Sequence, residues 1–175
     1  MSKSVIIEEY NKAWAVMYKQ EKELILELLG EKVKAIEHIG STSIYGLDAK
    51  PIIDFMVGVN ELVEAEQFIE PLAGIGYEHV YHPQFPNRRF FRKGEKNAGT
   101  HHLHVYEYGS QKWEDLILFR DYLRTHADAH EQYSQLKREL SEIYYNDRSA
   151  YTNAKHPFIA AVIDKARVEK DKGIN

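Results

Sequence analysis

The chain has 175 residues, 43% of them hydrophobic and 12% aromatic, which is enough for a packed core and too much for a disordered segment. A formal net charge of −4 excludes general electrostatic attraction to nucleic acid or anionic lipid, so any phosphate site must be local. Cysteine is absent, which excludes disulfides, thiolate nucleophiles and Cys-ligated zinc. No apolar run approaches the ~18 residues of a membrane span, and the N-terminus lacks a signal-peptide core, so the chain reads as cytoplasmic with no membrane partner.

The first element is a helix within EEYNKAWAVMYKQEKELILELLG, with Trp14, Met17, Leu24, Ile25 and Leu28 at helical spacing and Gly30 as its stop. KVKAIEHIG reads as a short strand ending at Gly40. A loop or single helical turn covers Ser41 to Ala49. PIIDFMVGV, Pro51 to Val59, is a nearly continuous apolar run suited to a central strand buried on both faces, with Asp54 as its one charge. Asn60 can cap the next helix, which Pro71 and Gly74 bring to an end. Strands follow around YEHVYH, RRFFRKG and THHLHVYEYG, with PQFPN and GEKNAG as turns. From Ser110 onward three helical segments carry little β signal. The expected architecture is α+β, one domain over 1–175, with an α/β core over about 1–109 and C-terminal helices over about 110–175.

Asp54 carries the chemistry. A carboxylate in a buried strand is expensive unless a partner or a metal compensates it. Residues i and i+2 of a strand share a face, so Ile52, Asp54 and Met56 point one way. Two carboxylates at that spacing hold a pair of divalent ions against a nucleotide's phosphates. With Met56 in the second place only a one-metal site remains. Upstream, Gly40, Ser41, Thr42 and Ser43 offer backbone N–H groups and hydroxyls for phosphate oxygens, and Lys50 a cation beside them. Read without function, the same string is a helix cap and turn.

THHLHV places His102 and His104 on one face of a strand and His101 on the other. Two imidazoles at that spacing, with a carboxylate from a neighbouring strand, would grip Zn²⁺, Mn²⁺ or Fe²⁺ better than Mg²⁺. His104 is also the candidate general base, and two satisfied histidines on a half-exposed strand are the bland alternative. Among the cations, Arg88, Arg89, Arg92 and Lys93 lie in or beside one strand, and alternation should put at least one toward the cleft. Arg89, Lys137 and Lys155 are the candidates for phosphate contact. Tyr151 shares a helical face with Lys155 and would either stack on a base or pack in the core.

IEHIGSTSIYGLDAKPIIDFMVGV, HHLHVYEYGSQKW, LILFRDYLRTH, YSQLK and YTNAKHPFI, in that order, resemble the GrpB family, small bacterial proteins within the nucleotidyltransferase superfamily. The resemblance covers nearly the whole chain. It implies a nucleotidyltransferase-like mixed sheet flanked by helices with a C-terminal helical part. Gly40 and Ser41 then match the superfamily's Gly-Ser turn, and Asp54 its first strand carboxylate. The second carboxylate falls on Met56 and is missing. For the third, HHLHVYE offers His102 and His104 on one face and Glu107 on the opposite one. A related domain fused to dephospho-coenzyme A kinase in some bacteria hints at nucleotide metabolism.

The reading that follows is a nucleotide-binding protein able to transfer a nucleoside monophosphate to a small molecule. Its cofactor would be a divalent metal, Mg²⁺ or Mn²⁺ before Zn²⁺, held by Asp54, His102 and His104. Its partners would be a nucleotide and a small-molecule substrate, with no general nucleic-acid binding. The alternatives are a non-catalytic nucleotide or metabolite sensor and a His/Asp metal-dependent hydrolase.

Overall fold

The computed structural model describes residues 4–96 and 98–173. Its elements are α1 (Ala13–Leu29), β1 (Ala35–Ile39), a 3-10 turn (Ser41–Ser43), β2 (Ile53–Val59), a 3-10 segment (Leu62–Phe68) leading into α2 (Ile69–Ala73), β3 (Tyr77–Val80), β4 (Arg89–Glu95), β5 (Ala98–Glu107), α3 (Gln111–Thr125), α4 (Ala127–Ile143) and α5 (Arg148–Asp171). The expected GEKNAG turn joins β4 to β5 and includes Asn97, which lies outside the described residues.

The five strands form one mixed sheet in the order β1-β2-β5-β4-β3. β2 and β5 run parallel, and the other neighbours pair antiparallel. The near-continuous apolar run of β2 is explained by its place between two strands with both faces covered. On one face Phe55, Val57, Phe91, Leu103 and Val105 pack with Ile25 and Leu29 of α1 and with Phe68 and Leu72. Full burial of each such side chain contributes about 1.5–3 kcal/mol, so this layer carries much of the stability. On the other face Met56 is fully buried with Ile39, Tyr106 and Trp113, the last from α3. The helical part therefore covers only one end of that face, and Asp54, one pleat further along, is left 24% exposed.

Local expectations fail where tertiary contacts decide. Leu24 and Leu28 are exposed, because the inward stripe of α1 runs through Trp14, Glu21, Ile25 and Leu29. The buried Glu21 is neutralised by Lys93 at 2.8 Å. Glu61, not Asn60, caps the segment after β2, in a reciprocal capping box with Glu64. Pro71 lies inside α2, and Gly74 ends it.

The helical part is anchored to the turn after β1. Arg120 of α3 is buried and donates to Glu37 (2.6 Å), Asp121 (2.8 Å) and the His38 carbonyl (3.2 Å). Arg124 donates twice to the Ser43 carbonyl, at 2.7 and 3.1 Å. Ile44 and Leu47 pack with Leu123 and Tyr133, and Val5 packs with Leu140 and Tyr151. The Ser41–Ala49 segment thus sits between sheet and helices, where a cleft-lining turn must be held. No described helix is long and apolar enough to cross a membrane.

Candidate active site

The register of the sheet assembles the site. β2 and β5 pair Asp54 with His102 and Met56 with His104, so the two imidazoles stand on the Asp54 face. His104 Nε2 donates to Asp54 Oδ1 at 3.2 Å, and His102 Nδ1 stands 3.5 Å from the same oxygen. One donor atom from each of the three residues can be chosen so that all lie within 4.8 Å of one another. Phe90, opposite His104 on β4, contacts both rings at 5.1 Å between centroids and limits their rotation.

Gly40 explains the glycine before Ser41. Its backbone (φ 73°, ψ 179°) lies in a region only glycine occupies readily. A Cβ there would stand 2.5 Å from Asp54 Oδ2, so the carboxylate rests directly against the glycine. Burial alone would raise the Asp54 carboxyl. Hydrogen bonds from His102 and His104, with their charges, outweigh it and hold the group well below the usual carboxylate range. Burial pushes His104 down, and the hydrogen bond and charge of Asp54 pull the other way.

The rest of the turn is largely occupied with holding itself. The Thr42 hydroxyl donates to the Ile52 carbonyl (3.0 Å) and meets His38 Nε2 at 3.0 Å, while Ser43 Oγ donates to the Gly40 carbonyl at 2.5 Å. The amides of Ser43 and Ile44 close the turn onto Gly40 and Ser41. Burial drives His38 down to about 4, consistent with a neutral ring acting as structural filler. The hydroxyls of Thr42 and Ser43 are thus spent inside the protein, and that of half-buried Ser41 is hydrogen-bonded to the Tyr133 hydroxyl.

Three lysines converge from three elements. Lys50 precedes β2, Lys137 comes from α4 and Lys155 from α5. Lys50 and Lys155 lie over the Tyr151 ring at 5.2 and 4.5 Å, and Lys137 lies over Tyr133 at 5.0 Å while donating to the Asp48 carbonyl. Burial and then Lys155 bring Lys137 down to about 7, and burial and then Lys50 bring Lys155 down to about 8. Lys50 is lowered by burial and by Arg148. Asp54 acts against the shift in both Lys50 and Lys155, so the cluster and the carboxylate share one electrostatic neighbourhood.

One expected residue falls elsewhere, and of the two readings of Tyr151 core packing holds. Arg89 shares the pleat of Phe91, on the opposite face from Asp54, and is held by Glu66 at 2.9 Å. Arg92, paired with His102, is the strand cation on the cleft face. Tyr151 is 1% exposed, so its ring is core and a bed for lysines rather than a stacking platform. Glu107, on the opposite pleat to the histidines, accepts from the Leu62 amide at 3.3 Å. Arg148, at the start of α5, escaped the sequence reading because no motif surrounds it.

The carboxylate with two imidazoles fits a single borderline divalent ion such as Mn²⁺ or Zn²⁺. It does not fit a two-Mg²⁺ clamp, because Met56 fills the second carboxylate's place within an apolar cluster.

The family model described as GrpB protein matches residues 4–165. The Glutamate-rich protein GrpB of Alkalihalophilus pseudofirmus is 39% identical over 92% of this chain and 95% of its own length. A dephospho-CoA kinase of Mycobacterium leprae is 25% identical over 74% of this chain but only 38% of its own length. The crystal structure of GrpB from Enterococcus faecalis superposes with a TM-score of 0.85 at 34% identity, covering 92% of this chain and 96% of that one. Cid1 in complex with the UTP analog UMPNPP shares the fold alone, with a TM-score of 0.53 at 16% identity over 85% of this chain and 48% of that one. Fold, order of motifs and overall extent agree, and the chain belongs to the GrpB family.

Proposed function

We propose that the chain binds a nucleoside triphosphate beside Asp54 and transfers its nucleoside monophosphate to a small molecule with help from one divalent ion. The observation that carries the reading is the convergence of Lys50, Lys137 and Lys155 next to a carboxylate–imidazole trio. Three half-buried or buried ammonium groups repel one another, and a polyphosphate between them removes that repulsion. Gly40 and the Ser41 side of the turn would face the same phosphates.

Asp54, His102 and His104 would hold the ion, which supplies charge neutralisation at the α-phosphate when bound. In the transfer, the acceptor oxygen bonds to the α-phosphorus and the bond to the α,β-bridging oxygen breaks. Pyrophosphate leaves with that electron pair. The acceptor's proton passes to solvent, since an imidazole that holds the ion has no free nitrogen to take it. The lysines orient the departing phosphates and offset their charge. A second reading, a nucleotide sensor without turnover, is favoured by the buried Met56 alone, since it removes the second carboxylate.

Titration calorimetry with each nucleoside triphosphate, with and without Mn²⁺ or Mg²⁺, tests the site. A bound polyphosphate favours the charged lysines, whose free-state values of about 7 (Lys137) and 8 (Lys155) leave them partly neutral at pH 8. Binding should therefore take up protons between pH 7 and 9, and affinity should fall as pH rises through that window by about tenfold. Buffers of different ionisation enthalpy read the uptake directly. Absence of binding under every condition contradicts the proposal, and binding without proton uptake contradicts the lysine assignment.

A further inference from the structure

A cavity of about 530 Å³ lies on the far side of His102 from the sheet core and is not used by the phosphate set, apart from Lys50 at its edge. Its walls come from four places. The N-terminal segment supplies Ser4 and Ile6, the strand entry Lys50 to Ile52, the β4–β5 hairpin Arg92 and Thr100, and α5 its first residue, Arg148. The N-terminal wall is tied down, with the Val5 amide donating to the Tyr145 carbonyl at 2.7 Å and Glu8 and Ala49 exchanging backbone hydrogen bonds at 2.9 and 3.0 Å. The cavity is a half-open recess of small-molecule size.

Its charge is arranged by depth. Lys50, Arg92 and Arg148 are half-buried, whereas the two carboxylates on its lining, Glu8 and Glu95, are exposed. Arg92 is already satisfied by Glu78, which accepts from its Nε and Nη2 at 3.0 and 2.9 Å. Arg148 is not: its Nε is enclosed with no hydrogen-bond partner among the described residues. No carboxylate among the described residues pairs with its guanidinium, so this half-buried cation on the lining has its charge uncompensated. Arg148 and Lys50 also repel each other, which depresses Lys50, and an anion between them would reverse that effect.

We infer that this recess binds the acceptor of the transferred group, a small molecule carrying a phosphate or carboxylate that Arg148 engages, with Lys50 between it and the nucleotide's phosphates, while its hydroxyl reaches past His102 toward Asp54. The inference rests on the transferase reading for the acceptor's role, but the anion site itself stands on Arg148 and the cavity. A guanidinium engages either oxyanion through paired hydrogen bonds, so the two chemistries share one recognition group. The transfer would proceed as described above, with the acceptor's hydroxyl oxygen as the nucleophile and pyrophosphate as the leaving group.

The test is nucleotide-free titration of the full chain with glycerol 3-phosphate and with glycerate, with glycerol as the neutral control, read by calorimetry and by the His102 imidazole resonances. One or both anions should bind saturably and shift His102, while glycerol should not. Arg148→Gln should weaken that binding at least about tenfold and leave nucleotide affinity unchanged, and Lys137→Gln should do the reverse. Ile6→Glu, from the opposite wall, should repel the anion without disturbing α5. Saturable anion binding with blank nucleotide titrations would overturn the transferase reading and keep the anion site. No saturable anion binding, or binding indifferent to both Arg148→Gln and Ile6→Glu, would overturn this inference while leaving nucleotide binding to be judged by its own titration.

Discussion

Asp54→Asn should reduce pyrophosphate release on the order of 10³-fold, a larger loss than its cost in stability of about 1–3 kcal/mol. The substitution keeps the size of the side chain and an oxygen able to accept from His104 Nε2, so the local hydrogen bond survives. What is lost is the anionic donor among three ligands, and with it the charge that would hold a divalent ion. Removing the charge relieves the cost of enclosing it but forfeits the histidine contacts that outweigh that cost, so some stability is lost as well. Comparing pyrophosphate release with urea unfolding for the same variant separates the two effects. A loss of several kcal/mol with proportionate loss of activity would instead make Asp54 a structural partner of the histidines.

Gly40→Ala should fail in both respects. The backbone region at φ 73° and ψ 179° costs about 1–3 kcal/mol for a residue with a side chain. The added methyl would also collide with the Asp54 carboxylate, 2.5 Å away, on a strand fixed between two neighbours. The carboxylate must therefore swing off the position that His102 and His104 share, and Mn²⁺ affinity should fall along with stability. Chemical denaturation and metal titration of the variant measure the two losses. Unchanged stability with intact metal binding would mean that the turn relaxes freely, and the close approach of Gly40 to Asp54 would then have no functional weight.

What could be read from the sequence follows the range over which each signal acts. The apolar run around Asp54 identified a central strand, because burial on both faces is written in consecutive residues. The alternation of HHLH put His102 and His104 on one face, because the pleat is a local property. That this face is also the Asp54 face required the parallel register of β2 with β5, which no local pattern encodes. Arg89 shows the same limit from the other side. Its strand was recognised, but the pleat sends it to the Phe91 face, where Glu66 holds it. Thr42 and Ser43 looked like phosphate ligands by type, yet their hydroxyls are consumed by Ile52, His38 and Gly40 in holding the turn. Lys137 and Lys155 lie more than eighty residues after the turn, and only the packing of the helical part brings them to it. The family resemblance supplied the architecture, and the Enterococcus faecalis GrpB structure agrees with it at a TM-score of 0.85. The second carboxylate that the resemblance led one to expect is absent. Met56 is core, and the histidine pair stands beside Asp54.

The central claim is that Asp54, His102 and His104 form one ion site facing a polyphosphate held by Lys50, Lys137 and Lys155. Anomalous diffraction from crystals soaked with Mn²⁺ and a non-hydrolysable nucleoside triphosphate analogue tests it most directly. The account predicts a single manganese peak ligated by those three side chains, with the analogue's phosphates against the three lysines. A manganese peak elsewhere, or phosphates bound away from the lysines with the Asp54 trio unliganded, would contradict it.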